Sequence, residues 1–198
     1  DTAPGALRGA KGGMALFVAD GWICAGLNMI WPIALFQSLS ESFTAFGGAM
    51  ALAALAGAAS GLVLGRLIDR GGGPRAAWLA TGASALTLAL RALSVGHPLA
   101  AVIGNAAGAL VPAFYVPTLM TAMYNQAKGS PCALRFHIAS EGAWDAGAAA
   151  GCVTAAVLLW WGAPIGATIL LALAGTAGNL VLLRRYYGRL TMQPLPAA

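Results

Sequence analysis

The chain has 198 residues, 59% hydrophobic and only 9% charged, with a mean hydropathy of +0.77. A soluble domain carries about 25% charged residues, so this composition cannot cover a globular surface with polar groups, and lipid is the expected solvent. The formal charge of +5 does not point to nucleic acid, because the basic residues lie between apolar runs rather than along one polar face.

Residues 1–13 read as a polar, glycine-rich tail holding Arg8 and Lys11. Six apolar runs follow, at 14–37, 43–66, 76–95, 98–124, 134–161 and 163–184. Each reaches the roughly 20 residues that cross a hydrocarbon core about 30 Å thick. In lipid only helices and closed barrels satisfy every backbone group, and runs this long are helices. The expected architecture is therefore an all-α membrane protein: six transmembrane helices within 14–187, then a short tail, 188–198.

The first run carries Asp20 and, two turns on, Asn28, with Trp31-Pro32 late in the helix. A charged group at membrane depth is costly and faces a cavity or a partner. Asp20 is thus a candidate proton site or contact for a cationic substrate; the alternative is hydration near the inner face. In the second run Ala53, Gly57, Gly61 and Gly65 recur every four residues. Gly104/Gly108 and Gly147/Gly151 repeat the pattern in the fourth and fifth. Such stripes let helix backbones approach closely where no hydrophobic effect drives association. Pro32, Pro112 and Pro117 remove backbone donors inside spans and bend them, either for packing or as hinges. Arg91, near the end of the third run, either pairs with an acid or snorkels outward, and snorkelling is the expectation.

The fifth run is the richest in polar groups. His137, Glu141 and Asp145 recur every four residues, with Ser140 and Trp144 adjacent, so the three titratable groups share one helix face. Two carboxylates one turn apart repel when both are ionised, an arrangement suited to proton coupling; a hydrated stripe near the cytoplasmic end is the other reading. No second ligand cluster supports metal binding there. Cys24, Cys132 and Cys152 are odd in number and lack metal-type spacing, and Cys24 and Cys152 read as small apolar residues of the core.

Charge alternates between loops. Arg8 and Lys11 precede the first run; Arg66, Arg70 and Arg75 separate the second and third. Lys128 and Arg135 separate the fourth and fifth, and Arg184, Arg185 and Arg189 follow the sixth. These segments share one side of a six-helix topology and hold ten of the eleven basic residues. By the positive-inside rule both termini are cytoplasmic.

The link between the second and third runs, Gly65-x-Leu67-x-Asp69-Arg70-x-Gly72 followed by Arg75, resembles the loop signature of the major facilitator superfamily, Gly-x-Leu-Ala-Asp-Arg-x-Gly-Arg-Arg/Lys. It departs at Ile68 and at Gly73-Pro74, which thin the basic cluster. Read physically, Asp69 is an anion suited to a helix N-terminus, and the glycines allow the chain to reverse. A plain topological turn with positive-inside charge would also look like this. The resemblance covers about residues 14–187 and implies one six-helix half of a transporter, built as a three-plus-three inverted repeat. It further implies that the motif, through Asp69, latches two halves in one facing state.

The start at Asp1 and the linker-like first residues suggest the C-terminal half. A second six-helix half would come from another chain, a missing segment or a second copy. The implied function is secondary active transport of a small-molecule solute by alternating access in a plasma or bacterial inner membrane, with the proton as coupling ion and no other cofactor. A non-transporting membrane scaffold of facilitator-like fold is the alternative. An intramembrane enzyme is not expected: Gly57-Ala-Ala-Ser60-Gly61 has the wrong spacing for a serine protease, and His97 and His137 lack a serine partner.

Overall fold

The computed structural model describes the backbone of residues 4–68 and 73–191 and the side chains of residues 4–61 and 75–189. Asp69, Arg70 and Gly72 of the turn motif lie outside the described residues, and Gly65 is described as backbone alone. Among the described residues six helices are long and apolar enough to cross a membrane. They are α1 (Lys11–Ser38), α2 (Phe43–Ile68), α3 (Gly73–Ser94), α4 (Pro98–Lys128), α5 (Ala133–Trp160) and α6, which runs from Ile165 to Thr191.

α1 starts earlier than the apolar run suggests, after a one-turn helix at Ala6–Gly9. Gly13, which looks like part of a linker, is a packing position. A Cβ on Gly13 would strike the Phe136 ring and lie 2.9 Å from Ser140 Oγ, so α5 approaches where Gly13 has no side chain.

Prolines mark two of the irregularities. In α1 a π-helical stretch at Ala25–Ile30 precedes Trp31-Pro32; the wider turn absorbs the donor that proline lacks. α4 is interrupted at residues 109–111, where amides bond three residues back (Leu110 to Ala107, Val111 to Gly108, both 3.2 Å). Pro112 therefore opens a second segment instead of bending a continuous helix, and Pro117 lies inside it. α6 is interrupted at Leu171, whose carbonyl accepts from Trp22 Nε1 at 2.8 Å.

α1 is the central helix. It packs most extensively on α5 and then on α6; α4 packs on α2 and α3, and α3 on α6. The turns after α1 and α3 meet at one end, where the Gly96 amide donates to Ser38 Oγ at 2.9 Å. At the other end Gly9 lies against Pro131 and Ser130, between α4 and α5. Apart from Arg91, the described basic residues all lie at or near helix ends of this second face.

The outward faces are largely apolar, with Leu79, Leu86, Leu93, Ile138 and Val153 all exposed; Glu141 and Asp145 on α5 are the acidic exceptions. Trp160 and Trp161 stand 88% and 76% exposed at the end of α5, the position of an interfacial aromatic belt. An outside this oily suits hydrocarbon, where association rests on close packing and internal polar bonds.

Candidate functional site

The Asp20 side chain sits where four helices meet, and glycines bring them there. A Cβ on Gly21 would fall on the Trp144 carbonyl, and one on Gly147 would fall on the Val18 carbonyl. Gly151 faces Ala25 and Trp22 in the same way. With α1 and α5 in near-backbone contact, Trp144 Nε1 donates to Asp20 Oδ2 at 2.8 Å. On the other flank Gly175 and Gly178 pack on Ala19, and the next residue, Asn179, donates to the Tyr115 hydroxyl at 2.6 Å. Tyr115, three residues past Pro112, donates to Asp20 Oδ1 at 2.7 Å. Asn179 and Tyr115 are buried, and Asn179 Oδ1 has no hydrogen-bond partner among the described residues.

The chain Asn179–Tyr115–Asp20–Trp144 ties α6, α4, α1 and α5 through one titratable group. Each carboxylate oxygen accepts from a separate donor, an arrangement matched to the anion. Asp20 stands nine residues past Lys11, roughly 14 Å along α1.

Tyr115 also lines a cavity of about 560 Å³ bounded by α1, α2, α3 and α4. Its walls are largely apolar, with a polar stripe from α3: Ser84, Thr87 and Arg91 recur at intervals of three and four and so share one face. Arg91 does not snorkel outward. It is 8% exposed, its Nε donates to the Gly104 carbonyl at 3.4 Å, and its guanidinium lies 5.0 Å from the Trp31 ring centre. Gly104 and Gly108 form the slot that holds it; a Cβ on Gly108 would overlap the guanidinium. Trp31 is fixed in turn, its Nε1 donating to Asn105 Oδ1 at 2.9 Å, while Asn105 Nδ2 donates to the Ala49 carbonyl at 3.1 Å.

Of the polar residues singled out in the sequence, Asp20 and Trp144 come together. Asn28 lines the cavity and donates to Cys24 Sγ at 3.1 Å, not to Asp20. His137 is half-buried and packs edge-on against Tyr124 and Phe136. Glu141 and Asp145 are exposed on α5. The four-residue spacing does keep the three titratable groups on one face, but α5 turns Phe136, Ser140, Ala143 and Gly147 inward and leaves the acids outside. Arg75 is exposed at the start of α3. No cluster of three or more His, Cys, Asp or Glu positioned for a metal occurs among the described residues.

Sequence reading missed the roles of Tyr115 and Asn179, whose partners lie 64 and 95 positions away. The Ser84, Thr87, Arg91 spacing was the one available signal for the cavity. No family model, curated protein or solved structure matches the chain.

Proposed function

We propose that the chain is one half of a secondary transporter of major-facilitator type, moving a small solute by alternating access with proton coupling through Asp20. The carrying observation is a carboxylate hydrogen-bonded to α4 and α5, and through Tyr115 to α6, at membrane depth and sharing Tyr115 with a solute-sized cavity. Intramembrane acids in such settings serve as proton relays, and 560 Å³ is within the range of small-ligand pockets.

Helix neighbours support the three-plus-three reading. Exchanging α1, α2 and α3 for α4, α5 and α6 converts the α1–α5 contact into α4–α2 and the α1–α6 contact into α4–α3, and returns α3–α6 to itself. Both leading helices, α1 and α4, are also interrupted near a proline. The basic face is assigned to the cytoplasm by the positive-inside rule, in a plasma or bacterial inner membrane. Glu141 and Asp145 support a second six-helix half. Exposed carboxylates about 12 and 18 Å along a spanning helix need a protein or aqueous neighbour, not lipid. The Asp69 turn keeps its proposed role as a latch toward that half.

The test is solute uptake into vesicles holding the chain together with its second half, with and without a pH gradient, across a panel of solutes. Asp20→Asn is expected to keep solute exchange and lose accumulation driven by the gradient; undiminished coupled accumulation removes Asp20 from the mechanism. The exposed acids on α5 equally favour a scaffold that binds a membrane partner. A stable complex in vesicles that move no solute decides for that reading.

A further inference from the structure

Resting on the transport reading, we infer that the cavity bounded by α1–α4 is an oxyanion site, and that its occupant is a small organic carboxylate held by Arg91. Arg91 supplies five N–H donors in a fixed fork. Among the described residues Nε has one acceptor, the Gly104 carbonyl, and no hydrogen bond engages the two Nη groups. The described carboxylates are placed elsewhere. Asp20 is taken up by Tyr115 and Trp144, Glu41 is exposed in the turn after α1, and Glu141 and Asp145 are exposed on α5.

A guanidinium enclosed in a mostly apolar cavity without an anion is costly, and its stacking on Trp31 offsets only part of that cost. Yet the surroundings are built to keep it there. Gly108 leaves the volume, Trp31 supplies the face, and Asn105 locks Trp31 to the Ala49 carbonyl. The charge is held ready for an anion that arrives from outside. A carboxylate matches the fork bidentately, Thr87 and Ser84 border it along α3, and Leu27, Met50 and Val116 offer an apolar wall for the remainder of the solute. An organic anion of this kind fits the lining better than inorganic phosphate or sulfate, which would leave that wall wet.

Binding of benzoate, inorganic phosphate, choline and glucose to the chain with its second half in phosphatidylcholine vesicles tests the proposal, read by calorimetry and by shift of the melting temperature. Benzoate is expected to bind saturably and to raise the melting temperature. Arg91→Gln should weaken it about tenfold to a hundredfold, and Arg91→Lys should recover part of the loss. Gly82→Ala, an open position on α3, serves as the unchanged control. If Arg91→Gln does not fold, the comparison of wild type with Arg91→Lys still decides, since loss of the planar fork should weaken benzoate while leaving the charge. Benzoate affinity equal in wild type, Arg91→Lys and Arg91→Gln overturns the site; binding of phosphate without benzoate overturns the carboxylate assignment. Proton-coupled uptake of choline or glucose with no benzoate binding overturns the oxyanion site and leaves the transport reading intact. Benzoate binding dependent on Arg91 without any uptake supports the site while rejecting transport.

Discussion

Asp20 and Arg91 are polar residues of opposite charge that the fold keeps apart, each with its own partners. Asp20 gains its role from the two donors that reach it, so its neighbours are informative targets. Tyr115→Phe deletes the hydroxyl that bridges Asp20 and Asn179, leaving a buried amide without its acceptor. The expected cost is about 1–3 kcal/mol, read as a lower melting temperature in detergent, together with a changed pH dependence of uptake. Gly108→Ala acts on the other group. The added methyl would occupy the space of the Arg91 guanidinium, so the slot should be overpacked at a cost of about 1–3 kcal/mol, read as a lower melting temperature in detergent. An unchanged melting temperature would refute the slot.

At the scale of the helix, glycine decides which faces meet. Gly21 and Gly147 set α1 and α5 close enough for Trp144 to reach Asp20, a contact that a Cβ on either glycine would prevent. Gly147→Val is therefore expected to destabilise the bundle by about 1–3 kcal/mol through overpacking, measured by thermal unfolding, and, on the proposed transport reading, to change coupled uptake in the direction expected for Asp20→Asn. Gly61, by contrast, meets nothing within 4 Å. Repeated small residues alone do not say which part of a stripe is used inside the bundle and which is left on its surface. The same limit explains α5. The sequence places His137, Glu141 and Asp145 on one face correctly, but only the inward set beginning with Phe136 and Ser140 says that this face points away. The prolines were visible as irregular points; that α1 widens into a π turn while α4 is interrupted at residues 109–111 is seen only in the folded chain.

For the whole molecule, charge partition and helix count stand or fall together. With the native cysteines replaced, His97→Cys and Lys128→Cys should be labelled from opposite sides of the membrane by an impermeant maleimide. Labelling of both from the same side would break the topology and, with it, the cytoplasmic assignment of the termini. The proposed three-plus-three repeat rests on the main helix pairings, α1–α5 exchanging with α4–α2 and α1–α6 with α4–α3 while α3–α6 returns to itself, although no internal sequence match announces it.

Run length and charge placement along the chain announced the six long apolar helices and the gathering of most described basic residues toward one end of the bundle. Those follow from the length of apolar runs and the cost of moving charge through hydrocarbon, which act on each segment separately. Which polar residues belong together emerged from the packing of the helices. Tyr115 and Asn179 joined Asp20, Arg91 turned inward to Trp31, and Glu141 and Asp145 stayed outside. Rotation of a helix about its own axis is fixed by close packing against neighbours distant in sequence, and one residue's difference in register moves a side chain from the interior to the surface.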